Sequence, residues 1–219
     1  MSRWSTILGA VIGFLSVAVY LIDRNLESFY IFDKPYMHDL SKRAIYAHGN
    51  DTDAIVKYIV SELYEKYPSA VNPRHDDPSE WMFNNHGSAM GGMYIIHASL
   101  TEYLIIYGTP LGTEGHSGRH TADDYFHILT GEERAYVPGK YEPEIYPPGS
   151  VHHLKRGTVK QYKCPDHCFA LELASGWIPP MLFFGFADTF TSTLDFPTLY
   201  RTVVLTAREM VGNLIRGKI

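Results

Sequence analysis

The chain has 219 residues with 24 acidic and 19 basic side chains, a formal charge of -5, and no basic block able to neutralise a phosphate backbone, which excludes a nucleic-acid partner. That length gives room for one core of ordinary size plus a short appendage, and excludes two comfortable cores. A hydrophobic content of 45%, with 16 Tyr, 11 Phe and 3 Trp, supplies the side chains that line apolar cavities and membrane interfaces.

The first element, "WSTILGAVIGFLSVAVYLI" from Trp4 to Ile22, carries no charge and approaches the roughly 20 residues that a helix needs to cross a bilayer. A cleaved signal peptide is the competing reading. No small-x-small site follows the apolar run, so residues 1–25 are expected to be a retained transmembrane anchor. Arg3 and Arg24 flank the run on opposite sides, and the positive-inside rule therefore assigns no orientation. Asn50 lies in an "NDT" acceptor pattern, which reports a lumenal location where it is modified.

Residues 26–80 read as a helical segment flanking the core. The pattern is clearest in "DTDAIVKYIVSELYEKY", where Thr52 or Asp53 caps and Ile55, Tyr58, Ile59 and Leu63 recur at helical spacing. "PSAVNPRHDDP" breaks it. From 81 to 176 the chain becomes short runs divided by Gly and Pro, the punctuation of a small β barrel or sandwich. Residues 177–219 turn helical again, Pro179 and Pro180 suiting a helix start. "MLFFGFADTF" is too short to span a membrane. The last run places Leu199, Val203, Met210, Leu214 and Ile215 on one side, with Arg201, Arg208, Glu209 and Arg216 mostly opposite. Such a helix packs on the barrel, lies on a bilayer, or does both.

Two carboxylates interrupt apolar strands. In "CFALELASGWIPP" a period of two puts Glu172 on a face with Cys168, Ala170 and Ala174, small neighbours that leave volume for a cavity. In "TADDYFHIL" the same period puts Asp124 with Ala122, Phe126 and Ile128, and Asp123 on the other side. Two carboxylates facing one dry cavity do not both ionise cheaply, so the pair holds a proton near neutral pH. The plainer alternative pairs Glu172 with Lys155, Arg156 or Lys160 and makes "ADD" a turn. Cys164 and Cys168, in "CPDHC", are two free thiols or one local disulfide. His116, His120, His152 and His153 resemble the two halves of a metal-binding cupin, although two histidines one residue apart are missing.

The blocks "WMFNN", "YIIHASLTEYLIIYGTPLGTEGHSGRH", "ADDYFHILTGE" and "FALELASGWIPPMLFFGFADTFTSTLDFPTLYRTVVLTAR" resemble the fungal C-8 sterol isomerases of ergosterol synthesis. More distantly they are similar to the sigma non-opioid intracellular receptor of the same family. "NNHGSAMGG", with His86 and Ser88, and Pro110 in "YGTPLG" depart from that family's pattern.

This resemblance implies an α+β fold: one N-terminal transmembrane helix, a cupin-like β barrel with no metal and no cofactor, and two C-terminal membrane-adjacent helices. It further implies a single-pass protein of the endoplasmic reticulum membrane, a homo-oligomer that is a trimer in the receptor branch, a sterol substrate and cationic amine inhibitors. The receptor's amine-binding glutamate matches Glu172, and Tyr103 matches the tyrosine that hydrogen-bonds it. Its second pocket carboxylate matches Phe126, so Asp124, on the same strand face, takes that role here, with Asp123 as the rival. The expected substrate-binding set is Tyr103, Tyr107, Phe126, Trp177, Trp81 and Met93, with Phe126, Trp177 and Tyr107 facing a cation. Glu102, His97, His116 and Glu114 are expected as structural supports.

Overall fold

A computed structural model describes residues 3–219, in two compact units divided after Ile31. The first contains helix α1 (Arg3–Asp23) and a 3-10 turn, Leu26–Phe29. Among the described residues α1 is the one helix long and apolar enough to cross a membrane, and no part of that stretch is buried in protein.

The second unit opens with α2 (Lys34–His48) and α3 (Thr52–Lys66). Asp33 caps α2 by accepting from the Tyr36 N–H, and Asp51 caps α3 by accepting from the Ala54 N–H at 3.1 Å. The α3 cap therefore sits one residue before Thr52, whose hydroxyl is used elsewhere, 3.1 Å from that of Thr130. Ile55, Ile59 and Leu63 are fully buried as the periodicity requires, while Tyr58 lies at the margin and meets Arg43.

Ten antiparallel strands follow: β1 (Trp81–His86), β2 (Ala89–Ala98), β3 (Glu102–Thr109), β4 (Thr113–His116), β5 (Ala122–Gly131), β6 (Glu133–Tyr136), β7 (Glu144–Tyr146), β8 (Val151–Leu154), β9 (Gln161–Cys164) and β10 (Cys168–Gly176). They form a six-stranded sheet, β1-β2-β3-β10-β5-β8, and a four-stranded one, β4-β9-β6-β7, the two walls of a β barrel. The last strand in the chain thus fills the gap between β3 and β5. A glycine at 108 lets it lie close, since a Cβ there would fall 2.4 Å from the Phe169 ring. A disulfide between Cys164 and Cys168 links the end of β9 to the start of β10.

Two helices close the chain: α4 (Ile178–Asp188), which begins on Pro179 and Pro180, and α5 (Phe196–Ile215), capped by Asp195. A π turn, Thr189–Thr193, separates them. Helix α5 buries Thr206, Glu209 and Asn213 and turns Val203, Val211, Leu214 and Ile215 outward, so its polar stripe faces the protein. Arg208 explains the choice, because its guanidinium makes two hydrogen bonds to buried Glu80, at 2.9 and 2.6 Å, and one to Glu209 at 2.9 Å. Asn213 adds a hydrogen bond to the Ala98 carbonyl.

Candidate active site

Strand pairing assembles the site in rows across the large sheet. Glu172 lies opposite Ile105 on one side and Phe126 on the other, and in the next row Ala174 lies opposite Tyr103 and Asp124. Asp124 and Tyr103 are therefore the diagonal neighbours of Glu172 on the same face, within reach for long side chains. Ala170 and Ala174, on either side of Glu172 along β10, leave the space into which its carboxyl projects.

That space is a cavity of about 70 Å³, walled by the barrel strands and closed by α4 through Met181, Leu182, Phe184 and Phe186. Glu172, Asp124, Tyr103, Met93 and Phe126 all line it. Asp124 is wholly buried, and the hydrogen-bonding partner its carboxyl meets is the Glu172 carboxyl. Burial is the main influence raising the pKa of both carboxyls, Glu172 well above the usual carboxylate range. For Glu172 the neighbouring Asp124 charge raises it further. Two desolvated carboxyls facing each other hold a proton in preference to two negative charges.

Tyr103 is buried beside the pair, but its hydroxyl points to the Met93 sulfur at 3.8 Å rather than to the Glu172 carboxyl. Tyr107 packs in the same cluster. A glycine at 91 makes room for it, as a Cβ there would fall 2.7 Å from its ring. Its hydroxyl meets that of Tyr162 at 3.4 Å, which in turn meets His86 Nε2 at 3.1 Å. Burial raises both phenols well above their ordinary range, so they act as neutral hydroxyls.

Besides Tyr107, three expected residues do not line the cavity. Asp123 is on the opposite face of β5, hydrogen-bonded to His153 Nε2 at 2.7 Å, because successive side chains on a strand alternate. Trp81 stacks on Tyr94 at 5.4 Å and donates its indole N–H to the His75 carbonyl. Trp177 is the N-cap residue of α4, and its backbone exchanges hydrogen bonds with Thr121. Lys160, one of the cations available to Glu172 in the plainer reading, is paired with Glu144. Glu102 is a support as expected, accepting from the Phe32 N–H and from Lys218.

The four cupin-type histidines do not converge. His152 is held by Glu133 at 2.8 Å, His153 by Asp123, and His116 accepts from the Gly118 N–H. No group of three or more potential metal ligands occurs among the described residues. Sequence reasoning missed His86, His120 and Tyr162 as cavity residues. The signal available for His86 was its departure, with Ser88, from the pattern of the family that the chain resembles.

The family described as "ERG2 and Sigma1 receptor like protein" matches residues 9–218. A C-8 sterol isomerase of Neurospora crassa is 66% identical over 215 residues, covering 98% of this chain and 83% of that protein. One of Gibberella zeae is 64% identical, covering 100% and 92%. The sigma non-opioid intracellular receptor 1 of Danio rerio is 36% identical, covering 96% and 94%. Among solved structures, an RmlC-like cupin from Shewanella frigidimarina overlaps 48% of this chain and 92% of its own, at 12% identity and a TM-score of 0.39.

Proposed function

We propose, from the premise that the chain belongs to the ERG2 and Sigma1 receptor like protein family, that its buried carboxyl pair moves a sterol ring double bond by proton transfer. The protein is a sterol isomerase. The single observation that carries the mechanism is the placement of Glu172 and Asp124 on one face of adjacent strands, both buried, in one cavity closed by α4.

Shifting a double bond from C8=C9 to C7=C8 requires a new C9–H bond, a carbocation at C8, and loss of a proton from C7 whose bonding electrons become the new double bond. No electrons enter or leave, so no redox partner is needed. An alkene is a weak base, and it takes a proton only from an acid whose proton has no better acceptor nearby. A carboxyl pair sharing one proton in a dry pocket is such an acid. Once it has given the proton, the carboxylate left behind faces the C8 cation and receives the proton from C7. Phe126 offers its ring to the same cation.

The cavity is smaller than the roughly 300–1,000 Å³ of a site that encloses a drug-sized ligand, so a sterol is admitted when α4 moves away from the barrel mouth. The apolar stripe of α5 and the apolar helix α1 support a membrane location from which a sterol arrives directly. The family resemblance supports assignment to the endoplasmic reticulum, a single-pass topology and a homo-oligomer, trimeric as in the receptor branch. It also supports binding of cationic amines at Glu172.

The test is conversion of a Δ8 sterol to its Δ7 isomer by the purified protein in detergent, with no nucleotide, flavin or metal added. Glu172→Gln abolishes the conversion while the protein stays folded. Conversion that persists in Glu172→Gln refutes the assignment.

A further inference from the structure

The carboxyl pair addresses only the reacting ring carbons, yet a sterol also carries a hydroxyl at the far end of its ring system. A hydroxyl taken from water into an apolar cavity needs a partner there. The wall of this cavity holds two imidazoles that the isomerisation does not use, His120 and His86.

His120 is 8% exposed, and its Nε2 lies 2.7 Å from the Ser117 carbonyl. A carbonyl oxygen only accepts, so Nε2 carries the hydrogen and Nδ1 of the neutral ring presents a bare lone pair. That Nδ1 is buried and has no hydrogen-bond partner. His86 stands nearby with its Nε2 on the Tyr162 hydroxyl, and its Nδ1 is likewise buried without a partner. Burial lowers the His86 pKa to about 4, so this ring is neutral and places no positive charge near a forming carbocation.

The backbone is shaped around these rings. Gly118, at φ +86°, is the only kind of residue that fits, because a Cβ there would fall 2.3 Å from His120 Cε1 and 2.8 Å from the Phe184 ring. Phe184 of α4 rests edge-on to both imidazoles, with ring centroids 5.5 Å from His120 and 5.8 Å from His86. The two unpartnered nitrogens are thus kept dry under the same helix that closes the cavity.

We propose that His120, with His86 beside it, forms the subsite that receives the 3β-hydroxyl of the sterol and so fixes which ring carbon meets the carboxyl pair. This rests on the isomerase reading. The fused rings hold the hydroxyl at a constant distance from C8, so anchoring one end sets the register at the other, and a hydroxyl satisfies an acceptor nitrogen by donating its hydrogen. His120 and His86 act as positioning residues; they do not touch the reacting carbons.

The experiment is a competition between a 3β-hydroxy Δ8 sterol and its 3-deoxy counterpart, run with wild type, His120→Phe, His86→Phe and His120→Asn. Wild type favours the hydroxy sterol by about tenfold or more in kcat/KM. The ratio falls toward one in the two Phe variants, whereas His120→Asn, whose amide oxygen restores an acceptor, keeps part of it. A wild-type ratio of one, or a ratio unchanged in both Phe variants, overturns the proposal. Thermal melting identifies any variant that fails to fold, and the ratio in His86→Phe and His120→Asn then decides. Wild type that isomerises neither sterol refutes the isomerase reading instead. In that case the same ratio, read as relative binding affinity, must still fall in the Phe variants or the subsite is wrong as well.

Discussion

Glu172→Gln is expected to make the protein more stable at neutral pH even as it destroys the site. The unfolded chain loses the Glu172 proton above its ordinary value of 4.5, while burial and the adjacent Asp124 make the folded chain keep it. Over that range the folded state binds more protons than the unfolded state, so rising pH lowers stability. The slope for one retained proton is about 1.4 kcal/mol per pH unit, which accumulates to about 3 kcal/mol between pH 4.5 and 7 for a proton kept throughout. Glutamine has nearly the same shape and no proton to lose. At pH 7 the variant should therefore melt roughly 6–12 °C above wild type for a chain of this size, and the gap should close as the pH falls toward 4.5. Melting curves of both proteins in one detergent across pH 4.5–8 provide the assay. A wild type more stable than Glu172→Gln at pH 7, with the gap widening as pH rises, would mean that Glu172 is an ionised, ion-paired structural residue, and the proton-sharing account would fail.

Three further consequences are independent of that pair, and a fourth tests it from the ligand side. His127 is buried with neither ring nitrogen partnered, and burial lowers its pKa to about 3. The unfolded chain protonates it first as pH falls below about 6.5, so this group removes stability on acidification, and His127→Phe should flatten the melting temperature between pH 6.5 and 4. Arg208→Met takes the two-pronged partner from the buried Glu80 carboxylate, which keeps Arg74 and Asn72, and should cost about 2–3 kcal/mol; Glu80→Gln in the same protein should recover much of it, which melting of the double variant checks. A Cβ at Gly131, where φ is +73°, would fall 1.9 Å from the His167 carbonyl, so Gly131→Ala should lower the yield of folded protein sharply in a size-exclusion assay. An ammonium analogue charged at the position of the C8 cation should bind at least about tenfold more tightly than its neutral carbon isostere, and calorimetry on Glu172→Gln should show that preference lost.

Much of this arrangement was legible in the chain. Glu172 announced itself because an acid flanked by Ala170 and Ala174 at a period of two has only a cavity to face, and β10 has that geometry. The choice between Asp124 and Asp123 depended on pairing, since alternation separates the two but only the register of β5 against β10 says which side is inward. Helix α5 shows the opposite case. Its two faces are plain in the sequence, yet a helix pattern does not say whether the apolar stripe faces the protein or turns outward, and that was decided by Glu80, far away in the chain. The aromatic residues misled for a related reason: Trp81 stacks on Tyr94 and Trp177 stands half-buried at the start of α4, both off the cavity lining, and a large ring carries no mark of which surface it covers. His120 was grouped with other histidines as a metal ligand because its single partner, the Ser117 carbonyl, is a backbone atom that composition does not show.

The most direct test of the central claim is isomerisation of a Δ8 sterol in deuterated water by wild type, Glu172→Gln and Asp124→Asn, with double-bond position and deuterium content read by mass spectrometry. The account predicts Δ7 product bearing solvent deuterium at C9 from wild type and no product from either variant. Full activity in Asp124→Asn, or a Δ7 product from wild type free of deuterium under conditions where the carboxyl protons exchange, would contradict it.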